Sequence, residues 1–248
     1  MAHKALIGGT AYSITGGRTL IGGTGYGISK GRALIGGTGY DISFATSSPL
    51  SDFTPGSIVK LNESGSPVEF YVAKHDYESG LNGTGRTLLV RKECYDTRIF
   101  DSSDNAYANS SLDSWLCNTY LKLLDADIQA AIGTTKFYYT IGNYNTALTT
   151  LLRAIFTLSL TELGKTTTYT NVEGTALPIA STLVPAYLNG SAAAQWTRTP
   201  HLNIGYYVLC VTGNSNLETR FCGASCGSRP CFTLPGTTLV DADNNVIV

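Results

Sequence analysis

Acid–base or nucleophilic catalysis needs a proton carrier held near a reacting atom, and the histidines on offer are His3, His75 and His201. His75 and Asp76 are adjacent at the end of an alternating run, and neighbouring side chains on a strand point to opposite faces. The two therefore cannot act together unless a bulge intervenes. No GxSxG, HExxH or phosphate-binding loop is present, and Gly23-Thr-Gly25-Tyr-Gly27 lies in a repeat instead of a strand–turn–helix unit. Asp76 and Glu78 are surface carboxylates that a carbohydrate-processing enzyme could use. The thin supply of proton carriers places that reading last; no catalytic residue is assigned, and the chain is expected not to be an enzyme.

Metal chemistry is as poorly served. Cys222-x3-Cys226-x4-Cys231 lacks a second ligand pair and a following histidine. Asp241-Ala-Asp243-Asn-Asn245 imitates the opening of a calcium loop without its sixth-position glycine. Asp101-Ser-Ser-Asp104-Asn105 reads as an Asx-rich turn before a helix. No metal and no cofactor are expected. Cys94, Cys117, Cys210, Cys222, Cys226 and Cys231 show no disulfide-scaffold spacing, so free buried or loop thiols are the reading.

Recognition is better supplied. Between His201 and Cys226 the chain mixes rigid aromatics with adaptable amides, which suits a contact surface. The candidate ligand-binding residues are His201, Leu202, Asn203, Ile204, Tyr206, Tyr207, Leu209, Asn214, Asn216, Thr219, Arg220, Phe221 and Ser225. For residues 206–211 a second reading stands beside this one: a core strand with every second side chain buried. The stretch is framed by Trp196, Arg198 and Arg229, where Trp196 suits a core and the arginines suit a structural ion pair or a carbonyl cap between neighbouring strands.

The elements that must position these groups follow from pattern. Residues 57–61, 68–73 and 86–91 alternate between turns and read as a β-meander. Ser110 or Ser111 caps a helix whose apolar positions are Leu112, Trp115, Leu116, Tyr120 and Leu123, with Asp113 in the first turn. A second helix is expected at 125–132, with strands at 137–141, 155–160, 206–211 and 231–234. The predicted class is α+β: mixed strands, two early helices and long C-terminal loops.

Ahead of this domain stand three copies of a 14-residue unit, LIGGTxYxI, beginning with Ala5-Leu-Ile-Gly-Gly-Thr-Ala-Tyr-Ser-Ile. Residues 1–44 read as an arm of short hairpins turning at Gly16-Gly17 or Lys30-Gly31. Hairpins this small bury too little alone, so the Tyr/Ile face must dock on copies of itself or on another protein. Residues 45–55, polar with two prolines, read as a linker, and the domain is expected over 56–248.

Totals exclude other classes. With 17 basic and 18 acidic residues and no basic cluster, nucleic acid and anionic membranes are disfavoured. No apolar run is long enough for a membrane span, and the start lacks the apolar core of a signal peptide.

The blocks Phe70-Tyr-Val-Ala-Lys-His-Asp-Tyr77, Gly85-Arg-Thr-Leu-Leu-Val-Arg91, Leu112-Asp-Ser-Trp-Leu116, Leu177-Pro-Ile-Ala180, Trp196-Thr-Arg-Thr-Pro200 and Gly227-Ser-Arg-Pro230 resemble a family of C-type-lectin-like domains of phage and gut-bacterial surface proteins. The fold is also similar to the variable proteins of diversity-generating retroelements, which implies a fixed scaffold and an altered patch between Pro200 and Gly227. Formylglycine-generating enzymes share the wider fold, but their cysteine pair and metal pattern have no match here. The repeats resemble N-terminal segments of structural proteins in phages of Gram-positive bacteria.

These resemblances imply a receptor-binding protein of a phage tail or tail-like particle, made in the bacterial cytoplasm without a signal peptide. Its expected partners are a host cell-surface protein or glycan, other virion proteins through residues 5–44, and further copies of itself, a trimer by preference. A purely architectural virion protein is the alternative. It would bury residues 201–226 between subunits.

Overall fold

The computed structural model describes the strands between His3 and Ser43 by their backbone, and residues 47–248 in full. In chain order the arm strands are β1 (His3–Ile7), β2 (Thr10–Ile14), β3 (Gly17–Ile21), β4 (Thr24–Ile28), β5 (Lys30–Ile35) and β6 (Thr38–Ser43). Each repeat forms its own antiparallel pair, with Ile7 opposite Thr10, Ile21 opposite Thr24 and Ile35 opposite Thr38. Gly17, Lys30 and Gly31 thus lie inside strands instead of forming the expected turns. The proposed Tyr/Ile docking face lies outside the described residues.

The second compact unit spans Pro49–Val248. Residues 49–55, expected as linker, belong to it: Leu50 is fully buried, and its N–H donates to the Thr238 carbonyl at 2.7 Å. After β7 (Ser47–Pro49) come β8 (Ile58–Glu63), β9 (Ser66–His75), α1 (Ser79–Asn82), β10 (Arg86–Arg91), β11 (Asp96–Ile99), α2 (Ser111–Asn118), α3 (Ala126–Ala131), β12 (Thr135–Gly142) and β13 (Asn145–Arg153). Then follow α4 (Ala180–Leu183), β14 (Ala186–Leu188), β15 (Ser191–Ala193), β16 (Gln195–Pro200), β17 (Tyr207–Val211), β18 (Leu217–Phe221), β19 (Ser225–Ser228), β20 (Cys231–Pro235), β21 (Leu239–Asp241) and β22 (Val246–Ile247).

The expected α+β class is wrong: 42% of the structure is strand and 14% helix, so the protein is β-rich. Helices do form where the spacing places them, and Ser110 Oγ accepts from the Asp113 N–H at 3.1 Å as N-cap. They are short, at eight and six residues, and serve as connectors on a β core. Two sheets dominate. One runs β20-β10-β9-β8 and the other β11-β19-β16-β17-β18. Residues 155–160 alternate like a strand but form only an isolated bridge, Phe156 to Cys231, and are buried along their whole length.

Two-residue hairpin turns of type I′ need φ > 0 at both central residues. Ser64-Gly65 and Asn189-Gly190 meet this with ordinary turn residues. Asn143-Tyr144, between β12 and β13, meets it with a tyrosine at φ 64°, an uncommon conformation for a bulky side chain.

Candidate binding surface

The frame is β16, all six of whose residues are buried. Arg198 is completely enclosed, and its guanidinium forks onto Glu162, Nη1 to Oε2 at 2.7 Å and Nη2 to Oε1 at 2.9 Å. Its remaining donors reach the carbonyls of Tyr138 and Thr157, both at 2.9 Å. Glu162 also accepts from Tyr77 Oη and from the Ser159 N–H. Both charged groups are therefore matched by several partners, the condition a buried ion pair must satisfy. Beside it lies Glu173, which accepts from the Thr140 N–H at 2.7 Å and Thr199 Oγ1 at 2.6 Å, while burial holds its carboxyl above the ordinary range.

Arg229 plays the other expected part, a carbonyl cap. It donates to Arg91 O, Lys92 O and Leu183 O at 2.6–2.8 Å. Trp196 fills the core and donates from Nε1 to the Arg98 carbonyl at 2.8 Å. Gly227 fits its place because a Cβ there would meet the Ala194 carbonyl and Cys94 Sγ, each at 2.5 Å.

On this frame the recognition stretch divides by exposure. Asn203, Tyr206, Asn214, Asn216, Thr219, Phe221 and Ser225 are exposed or partly so, and Leu202, Ile204, Tyr207 and Arg220 are half-buried. His201 and Leu209 are buried, which corrects their assignment as contact residues. Leu209 belongs to β17, which is a core strand as the second reading had it, but Val208–Val211 are buried consecutively instead of at every second side chain. The His201 ring stacks on Tyr169 at 4.9 Å, and its Nδ1 accepts from the Asn203 N–H at 3.2 Å, so it shapes the loop from beneath.

Loop 201–207 is clamped by Asn105, which is fully buried. Its Nδ2 donates to the carbonyls of His201, Ile204 and Tyr207 at 3.1, 3.0 and 2.7 Å, and its Oδ1 accepts from the Asn143 N–H at 2.6 Å. One amide thus ties the loop to the tip of the β12–β13 hairpin. The consequence is a contact residue the sequence does not announce: the Tyr144 ring, 64% exposed, lies over Gly205, where an added Cβ would come within 2.5 Å of it. Tyr169, 49% exposed, enters from a third segment on the back of His201. Together with Tyr206 and Phe221, whose rings meet edge-on at 6.3 Å, four exposed aromatics gather around one loop. Of the two that the sequence reading did not name, Tyr144 and Tyr169, only Tyr144 has a sequence signal, a two-residue gap between strand segments.

A family model for a domain of unknown function, DUF6273, matches residues 84–236, which hold the whole of this frame and surface except Tyr77. The chain belongs to the DUF6273 family. No curated protein and no solved structure matches it.

Groups elsewhere with chemical potential are committed to structure. Just ahead of the DUF6273 match, His75 Nε2 donates to the Phe53 carbonyl at 2.7 Å, which leaves Nδ1 to accept from Thr87 Oγ1 at 2.8 Å. Asp76 and Glu78 both have positive φ and bind the backbone of other segments, Asp76 accepting from the Gly85 N–H and Glu78 from the Thr175 N–H. Within the DUF6273 region, Asp101 accepts from Ser103 and Ser111 and closes the expected Asx turn. Five of the six free thiols are buried, and desolvation pushes Cys94 up to about 11, which disfavours the reactive thiolate. Among the described residues no cluster of His, Cys, Asp and Glu could hold a metal ion.

Proposed function

We propose that this DUF6273 protein is a receptor-binding or ligand-binding structural protein of a phage tail or related particle. Its arm supplies position and copy number, and its globular unit engages a protein or glycan on the host surface. The reading rests above all on the contrast between a frame whose buried charged groups are all hydrogen-bonded and a surface that leaves Tyr144, Tyr169, Tyr206 and Phe221 in water. A structure rarely exposes so much aromatic area in one place without a partner for it. Tyrosine offers large, rigid contact area at small entropic cost, and Asn203, Asn214 and Asn216 add adaptable hydrogen bonds. Weak single contacts become durable when an oligomeric arm presents several together.

The test is host-cell binding by the full chain and by a Tyr206→Ala/Phe221→Ala variant. Both side chains are exposed, so the thermal midpoint should hold while binding falls at least about tenfold, the usual result of removing two aromatic anchors. Undiminished binding by that variant would sink the proposal. Loss of assembly with binding retained would favour the architectural alternative.

A further inference from the structure

The β12–β13 hairpin has one occupied edge and one bare edge. On β12, groups pointing away from β13 are taken up by the fold: the Thr140 N–H donates to Glu173 at 2.7 Å, the Lys136 N–H to Asn82 Oδ1 at 2.8 Å, and the Tyr138 carbonyl accepts from Arg198. Their register partners are Leu148, Leu152 and Thr150. Directly opposed residues of an antiparallel ladder share one orientation, so the N–H and C=O of these three point outward from β13. Among the described residues, those of Leu148 and Thr150 meet no partner, and only the Leu152 carbonyl is met, by Arg153 Nη1 at 2.9 Å.

The strand also lacks the features that normally blunt an edge. Residues 145–152 hold no charged side chain and no proline, and the pairing runs without a bulge from Leu148 to Arg153. Leu148 and Leu152, on one face with Thr150 between them, are 45% and 51% exposed. Two cations lie nearby: Lys136 is the partner of Leu152 within the hairpin, and Arg153, drawn onto Asp113 at 2.8 Å, reaches the edge only at the Leu152 carbonyl, so the groups of Leu148 and Thr150 stay unguarded.

We propose that this edge pairs with the same edge of a second copy, antiparallel and centred on Thr150, to make one four-stranded sheet across a two-fold axis. Side-chain chemistry selects both the occupant and the register. With Thr150 opposite Thr150, Leu148 faces Leu152 of the second copy and Leu152 faces its Leu148, so both exposed leucines gain apolar partners and hydroxyl meets hydroxyl. Sliding the copies by one step towards the hairpin tip sets Leu148 against Thr150 and Leu152 against Thr146, so neither leucine meets an apolar partner. A self-complementary contact of this kind closes at two copies. It goes beyond the proposed recognition role and depends neither on the target nor on the arm.

The test uses the full chain with Leu148→Lys, Leu152→Glu and the double variant. Each single change sets a charge against leucine, whereas the double change sets the introduced lysine of one copy against the introduced glutamate of the other at both symmetric positions. Sedimentation should show the β13 contact weakened at least about tenfold in each single variant and restored in the double. Hydrogen exchange gives a second reading: the Leu148 and Thr150 amides should gain protection with concentration in the wild type, and the amides at the same two positions should do so in the double variant but in neither single. The inference is overturned if those amides stay unprotected at every concentration, if the single variants associate as the wild type does, or if the double variant is no better than the singles. Protection that appears only when a target protein is added would assign the edge to that target instead.

Discussion

Replacing Arg198 by methionine tests whether the frame under the recognition loops is held by its buried ion pair. Methionine approximates the aliphatic stem and removes the guanidinium, whose carbon stands over the Phe137 ring at 4.6 Å from its centroid. It removes both bonds to Glu162 and both bonds to the carbonyls of Tyr138 and Thr157. Glu162 is left in a fully enclosed site with only the Ser159 N–H and Tyr77 Oη as donors. An uncompensated buried charge costs about 3–5 kcal/mol. Each stranded carbonyl adds about 1 kcal/mol or more, though neighbours in one network do not add fully. The net expectation is a loss of about 4–6 kcal/mol, a large part of the roughly 5–15 kcal/mol a domain commands. For a unit of about 200 residues that lowers the melting midpoint by about 10–20 °C. The assay is urea and thermal unfolding followed by circular dichroism, with Arg198→Met/Glu162→Leu beside the single variant. Because the double variant buries no lone charge, it should recover more than half of the loss. A single variant within about 1 kcal/mol of wild type, or a double variant no better than the single, would refute the assignment.

Other expectations follow from the same geometry. Asn105→Ala strips the His201 carbonyl and the Asn143 N–H of their partner and leaves the carbonyls of Ile204 and Tyr207 with their backbone donors alone; a cost of about 2–3 kcal/mol is expected, with faster hydrogen exchange confined to 143–145 and 201–207. Gly205→Ala places a methyl against the Tyr144 ring and should weaken target binding while leaving the unfolding midpoint nearly unchanged. Burial raises the Glu173 carboxyl above its ordinary 4.5, so its contribution is fully present below that value and fades as pH rises through the raised one; the urea midpoint of Glu173→Gln should gain on wild type over that interval. Burial lowers His201 below its ordinary 6.5. Its stabilising share is thus present at neutral pH and lost on acidification from that value down through the lowered one, a decline that His201→Phe should abolish in the same assay.

How much of this was legible in the sequence differs from element to element. Strand β10 and the Ser110 cap were legible because each rests on local pattern, alternation in one case and a side-chain oxygen three residues before an amide in the other. The roles of Arg198 and Arg229 were legible in kind, since a long cation among apolar residues must find carboxylate or carbonyl oxygens. Their partners were not, because Glu162 and Leu183 lie in irregular segments or short connectors. The class was misjudged because helical spacing around Leu112–Leu123 carries no information on how short the helix is; Thr119 ends α2 and a single 3-10 turn follows. Leu209 was misplaced because β17 is buried on both faces from Val208 on, which erases the period that separates core from surface. Tyr144 escaped notice since tyrosine at positive φ runs against every turn propensity.

That last mismatch bears on how the surface works. Holding tyrosine in the left-handed region costs on the order of 1 kcal/mol, and such strain persists where surrounding contacts over-determine it. Here they do: the Asn143 N–H is bound by Asn105, the ring lies on Gly205, and β12 is fastened to the frame through the Tyr138 carbonyl and Arg198. The same arginine that seals the core thus fixes, one strand away, an aromatic ring held out to solvent. Loop 201–207 hangs from Asn105 by its carbonyls, not by its side chains. Exposed side chains at Asn203 and Tyr206 can therefore change identity without disturbing the hydrogen bonds that set the loop's path. Tyr144 differs, because its ring needs glycine at 205 beneath it. Substitution at Asn203 or Tyr206 is therefore compatible with the present path of the loop, whereas substitution at Gly205 collides with the Tyr144 ring.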